Sequence, residues 1–358
     1  MNRFIRISKR DELPTSKRVL IMLVAILLSI VCAGIILLAF GLSPIDVFAQ
    51  MIIGSFGTPL RIQSTLTKAI PLIIASLGII IAFKMKFWNI GAEGQITMGA
   101  TGATFVALNM APTTSPFIAL PLMALAAILC GGIWALIPAI FKAKWNINET
   151  IFTLMMNYVA IKFVMYLQAG PWKDPNFNGF PRIATFSDSF ILPSVFGVNI
   201  GWIIALLAVA LVYFITKHTK LGYEIAVIGE SIGTARYAGI NIGRTIVIAM
   251  LISGGLIGLV GMIQASAVEK TLVSTIAGGM GFTAIITAWL SKLDPIKTLF
   301  VCLAFAVLMQ GGDYIQIALN VSSSVSEVVQ GLILFFVLGS EFFIRYKVSL
   351  RNKKEVTA

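Results

Sequence analysis

Residues 19–40 form a run of 22 positions without a charged side chain. A helix crossing a bilayer needs about 20 apolar residues. Comparable stretches, none with more than two charged residues, recur at 66–83, 88–108, 117–141, 151–168, 201–216, 245–264, 272–290, 298–317 and 325–344. The pattern predicts an all-α, polytopic membrane protein of about ten transmembrane helices. Composition agrees: 58% of residues are hydrophobic and 12% charged, with a mean hydropathy of +0.93. Soluble domains hold about 45–50% apolar and about 25% charged residues.

The first run follows a basic segment, 1–18, with Arg3, Arg6, Lys9, Arg10, Lys17 and Arg18. That start resembles a signal peptide, but the run is too long and no small-x-small cleavage site follows. An uncleaved first helix is expected. Residues 41–65 are broken by Gly41, Pro44, Gly54, Gly57 and Pro59, and the part near 47–53 suits an interfacial position.

The formal charge of +12 could suggest a nucleic-acid partner, but its placement does not. Twenty-one of the 27 lysines and arginines fall in 1–18, 84–86, 142–144, 217–244, 292–297 and 345–358, all on one side of a ten-span arrangement. Cytoplasmic loops carry this excess. The expected organisation is therefore a cytoplasmic basic N-terminus at 1–18, a transmembrane domain at 19–344 and a cytoplasmic basic tail at 345–358. Within the domain, 169–198 is the long external loop and 217–244 a cytoplasmic loop.

Several chemistries are excluded. Cys32, Cys130 and Cys302 lie inside apolar runs without metal-site spacing. His218 is the only histidine, which leaves no histidine-based metal site or Ser-His-Asp triad. No G-x-x-x-x-G-K-[ST] stretch occurs, so the chain binds no ATP through a P-loop. No cofactor is expected on the chain itself.

The polar residues inside the runs are the candidates for function. Phe87-Trp88-Asn89-Ile90-Gly91-Ala92-Glu93-Gly94-Gln95-Ile96-Thr97-Met98-Gly99-Ala100 carries a carboxylate, two amides and three glycines at membrane depth. Such groups need water, a partner or a cargo nearby, and broken backbone is tolerated only inside protein or along a cavity. Asn89, Glu93 and Gln95 are expected to border a path through the membrane; a satisfied helix–helix interface is the competing reading. For Glu93, pairing with Lys84 or Lys86, or capping backbone at a helix break, also stands open. Thr153 and Asn157, four apart, share one helix face, either along the path or in hydrogen bonds between helices. Asp313, toward the outer end of 298–317, reads equally as functional or structural. Gly254, Gly258 and Gly261 form a small-residue stripe suited to helix packing.

A second Gly-rich interruption, Ile276-Ala277-Gly278-Gly279-Met280-Gly281-Phe282-Thr283, lies five spans after the first. Paired interruptions in two halves of opposite direction point to an inverted repeat around a transporter's central site.

The cytoplasmic loop reads Gly229-Glu230-Ser231-Ile232-Gly233-Thr234-Ala235-Arg236-Tyr237-Ala238-Gly239-Ile240-Asn241-Ile242-Gly243-Arg244. Residues 234–238 suit a short helix along the membrane with Gly239 as its C-terminal stop. Continued by Ser253-Gly254-Gly255-Leu256-Ile257-Gly258-Leu259-Val260-Gly261, this loop resembles the coupling region of permease subunits of bacterial ABC importers for branched-chain amino acids, simple sugars and nucleosides. Together with the stretch from Phe87 to Gln95, it is most similar to the nucleoside branch, whose systems use lipid-anchored, basic-membrane-protein-type binding proteins. The resemblance covers about residues 65–345.

The resemblance implies a multi-pass protein of the bacterial plasma membrane. It implies a second permease subunit, a copy or a different chain, two ATPase subunits and an external binding lipoprotein. Thr234, Ala235, Arg236, Tyr237, Ala238, Gly239 and Ile240 would be the coupling helix gripped by the ATPase, which alone would bind ATP and Mg²⁺. The cargo would be a nucleoside, or, with the same machinery, a simple sugar or branched-chain amino acid. The rival of another class is an ion-coupled carrier using Glu93 and Asp313; a non-transporting scaffold is a further one.

Overall fold

The computed structural model describes residues 5–10, 14–175 and 177–350. Arg3, Arg351, Lys353 and Lys354 lie outside the described residues. In chain order the elements are β1 (Ile5–Lys9), α1 (Thr15–Ala39), α2 (Pro44–Phe56), α3 (Pro59–Lys84), α4 (Ala92–Asn109), α5 (Pro116–Trp145) and α6 (Glu149–Ala169). A two-stranded hairpin follows, β2 (Ser194–Val195) and β3 (Val198–Asn199). Then come α7 (Gly201–His218), α8 (Lys220–Glu230), α9 (Ile232–Tyr237), α10 (Ile242–Ile263), α11 (Met280–Leu290), α12 (Pro295–Ala318), α13 (Ser323–Arg345) and β4 (Tyr346–Leu350).

Eight of the described helices are long and apolar enough to cross a membrane: α1, α3, α5, α6, α7, α10, α12 and α13. The other two expected spans are α4 and α11. The first has the length, 18 residues, but carries the polar stretch. The second has only 11 residues, because the backbone before Met280 is not helical.

The chain divides into two compact units, residues 1–62 with 307–358, and residues 63–306. In the larger unit α10 packs against α5 and α4 through glycines. A Cβ on Gly99 would strike the Gly258 backbone, one on Gly258 the Ala127 carbonyl, and one on Gly261 the Ile96 carbonyl. Backbones this close require small residues, as the stripe predicted. Ser253 adds a hydrogen bond to the Gly78 carbonyl of α3, 2.7 Å.

In the smaller unit α1 packs on α13 and touches α2. Ala33, Leu37, Val47, Met51, Ile315 and Val329 form its core. Residues 44–56 fold as one helix started by Ser43, with Pro44 in the first turn, where its missing N–H costs nothing. Val47 and Met51 turn into the core, and Gly54 lies against the Tyr314 ring. Arg61 stacks over the same ring and donates to its hydroxyl at 2.8 Å. The expected interfacial segment is thus a packed helix whose other face, with Ile45 and Ile52, is also apolar and exposed.

Two features escape a purely helical reading. β1 pairs antiparallel with β4, Ile5 opposite Leu350 and Lys9 opposite Tyr346, which sets the two ends of the described chain side by side. The β2–β3 hairpin turns through Phe196 and Gly197, both left-handed, the turn type that matches strand twist.

Candidate functional site

α3 ends at Lys84, Lys86 just beyond it is left-handed, and α4 begins only at Ala92. The seven residues between the two helices, 85–91, leave backbone groups without helical partners. Gly91, at the N-cap of α4, has no side chain to cap it, so α6 supplies the cap. Asn157 Oδ1 accepts the Gly94 N–H at 2.8 Å, and Asn157 Nδ2 donates to the Ile90 carbonyl at 2.9 Å. Thr153 Oγ1 accepts the Ile90 N–H at 3.1 Å while donating to the Glu149 carbonyl at 2.8 Å. Asn89 and Gln95 exchange two amide hydrogen bonds of 3.2 Å, and Asn89 Oδ1 accepts the Gly91 N–H at 3.0 Å.

Four of the five expected path residues, Asn89, Gln95, Thr153 and Asn157, therefore meet in one buried cluster. Their polar atoms are committed to the chain break and to each other. The start of α6 is fixed by an ion pair, Lys142 to Glu149 at 2.9 Å, and by Asn148, which caps Thr150 and Ile151.

Glu93 points elsewhere. Its Oε1 accepts the Gly281 N–H at 2.6 Å and faces the N–H groups of Gly279 and Phe282. These belong to the first turn of α11, where a carboxylate satisfies orphan donors and complements the helix dipole. The carboxylate is used at a helix break, as one expectation had it; among the described residues it makes no ion pair with Lys84 or Lys86. A Cβ on Gly281 would press on the Glu93 backbone, so glycine is what lets α11 approach α4. Asp313 is exposed on α12, in the other unit.

The loop at 217–244 holds two helices. α9 starts two residues before the expected helix, with Ser231 capping Thr234. It stops at Gly239, φ 71°, with Ile240 N–H on the Ala235 carbonyl and Gly239 N–H on that of Arg236. This double bond pattern is the Schellman stop. Ala235 is buried, while Thr234, Arg236, Ala238 and Gly239 are exposed, as is Tyr237 at 97%. α8 went unforeseen because its 11 residues read as a polar loop. Its Gly229 rests directly on the Lys84 carbonyl at the end of α3.

Three further features were missed. Trp88 and Trp289 stack at 5.5 Å and 18°, with Phe83 edge-on to Trp88. Ser76 of α3, Thr287 of α11 and Cys302 of α12 form a buried knot, with 2.6 Å between the two hydroxyls. α10 continues through a π-helical turn, Gln264–Val268, which aims Ser266 at the loop of residues 169–198: it donates to the Phe190 carbonyl at 2.5 Å and accepts the Leu192 N–H at 3.0 Å. Gln264, a lone amide closing an apolar run, was the available signal for that turn.

The family of branched-chain amino acid transport system permease components matches residues 61–338. This chain belongs to that family. It is 34% identical to the glucose ABC transporter permease protein TsgB13 of Haloferax volcanii, over 91% of this chain and 88% of that protein. It is 30% identical to the guanosine ABC transporter permease protein NupP of Bacillus subtilis, over 94% and 97%. It is 29% identical to the nucleoside ABC transporter permease protein NupB of Lactococcus lactis subsp. cremoris, over 90% and 91%. The chain is the non-catalytic, membrane-spanning permease of an ABC importer, a subunit that works with an ATPase and a binding protein. Membership sets aside the ion-coupled carrier and the scaffold.

Proposed function

We propose that this permease carries nucleosides inward. The observation that supports this most is the near full-length similarity to the guanosine and nucleoside permeases, over 94% and 90% of this chain. The chemistry fits. A nucleoside is neutral at pH 7 and needs hydrogen-bonding groups and aromatic surface rather than a counter-charge. Glu93 is committed to α11, and Trp88 and Phe282 offer exposed aromatic surface. A simple sugar is the second reading, favoured by the Haloferax glucose permease.

The proposed partners are an ATPase that grips Thr234 to Ile240, an external lipid-anchored binding protein and a second permease, either a copy or a different chain. Both termini and α8–α9 face the cytoplasm, where lysine and arginine are concentrated. ATP binding by the partner would draw α9 and α8 together as one body. Because Gly229 of α8 sits on the Lys84 carbonyl, that movement would reach the break at residues 85–91, the Asn157 cap and, through Glu93, α11. The five buried polar residues then act by holding the break in shape as the path opens and closes.

The test is uptake of radiolabelled guanosine and uridine in cells lacking other nucleoside carriers, with and without this chain, against excess ribose, glucose and leucine. Chain-dependent uptake blocked by neither sugar nor leucine is expected. Uptake unchanged on deletion overturns the nucleoside reading, and block by glucose transfers it to sugar.

A further inference from the structure

α11, with 11 residues, is about 16 Å long at 1.5 Å per residue. The hydrocarbon layer is about 30 Å thick. Lys292 and Asp294 follow its C-terminal end and belong at the water interface. The N-terminus of α11 therefore lies near mid-membrane.

The backbone leading to it, 271–279, is not helical, and Gly278 and Gly279 are left-handed at φ 51° and 79°. Leu272, Ile276 and Ala277 anchor the turn inward; Thr275, Gly278 and Gly279 are exposed. A Cβ at Gly279 would meet nothing within 4 Å. Irregular backbone at this depth persists only where protein buries it or water reaches it.

A second observation points to the same place. Gln264 is 6% exposed, in the π-helical turn. Its Nε2 donates to Met280 Sδ, the first residue of α11, at 2.9 Å. A thioether is a weak acceptor, and among the described residues the side-chain oxygen of Gln264 accepts no hydrogen bond. That oxygen is not one of the buried side-chain atoms left without a partner and so keeps accessible surface, open to a donor from a cargo, and π-helical turns in α-helices concentrate at functional sites.

We propose that Thr275, Gly278, Gly279 and Gln264 line the translocation path and form a mid-membrane contact site for a neutral cargo. The Gln264 amide presents a donor beside an acceptor, complementary to the amide edge of a nucleobase. The cargo class rests on the nucleoside reading; the position of the path does not.

The experiment uses the complete importer in membranes, with Cys32, Cys130 and Cys302 replaced by alanine and Thr275→Cys introduced. A charged methanethiosulfonate is expected to label Thr275→Cys and stop guanosine uptake, and guanosine is expected to slow the labelling. Leu125→Cys, on an exposed apolar position of α5, is expected to stay unlabelled. Absence of labelling at Thr275→Cys, or labelling that leaves uptake intact, overturns the site. Slowing by glucose instead of guanosine keeps the site and overturns the nucleoside reading. Gln264→Ala is expected to raise the half-saturating guanosine concentration about threefold to tenfold, the worth of one neutral hydrogen bond, at unchanged maximal rate and protein level. An unchanged half-saturating concentration removes Gln264 from the site.

Discussion

The break between α3 and α4 and the short helix α9 were both legible as motifs, yet they are built in opposite ways. At the break, Asn89, Gln95, Thr153 and Asn157 are buried, and their hydrogen bonds go to backbone or to one another. In α9 the backbone is closed by Ser231 and Gly239, and the side chains of Arg236 and Tyr237 are left outside. A polar group that has met its partners holds shape; one left in the open is available to another molecule. Damage at the first should appear as lost fold, and damage at the second as lost coupling in an intact protein.

The largest effect is expected where backbones touch. Gly258→Leu forces α10 away from α5, an overpacking cost of about 3 kcal/mol or more, and should leave little monodisperse protein after extraction. Next come Gly239→Asp and Arg236→Glu. A side chain at Gly239 costs about 1–2 kcal/mol in the left-handed region, confined to the end of α9. Both variants should insert normally and lose uptake; normal ATP-driven uptake by either would falsify the coupling role. Asn157→Ala should be intermediate. It orphans the Gly94 N–H and the Ile90 carbonyl, about 1–3 kcal/mol each, read as a lower melting temperature with uptake falling in proportion. The smallest effect is expected from Glu93→Gln, which keeps an oxygen for the Gly281 N–H. Uptake and expression should hold, whereas Glu93→Ala loses a helix cap worth about 1 kcal/mol. A Gln variant that inserts but does not transport would show that the charge itself matters.

The helical membrane fold was readable because apolar runs and lysine placement are properties of the chain taken alone. So were the stop at Gly239 and the packing role of Gly254, Gly258 and Gly261, since both follow from glycine's missing Cβ. Asn157 was visible as a polar residue on α6, but not its partners, because Gly94 and Ile90 lie more than 60 residues away. The Glu93 cap spans 188 residues. The π-helical turn was marked only by Gln264, a lone amide closing an apolar run, which does not by itself specify a π-turn. The β1–β4 ribbon joins segments that read only as basic tails.

Unit composition also sets an order of events during synthesis. α1 ends at Ala39, and α13, its main neighbour, begins at Ser323. At about 5–20 residues per second, roughly 15–60 s separate their emergence from the ribosome. Through that interval the first helix lacks its main neighbour, while the segments of residues 63–306 emerge one after another. Biogenesis therefore closes last where it started first, and a ribosome stalled before α13 releases a chain whose leading helix lacks its counterpart.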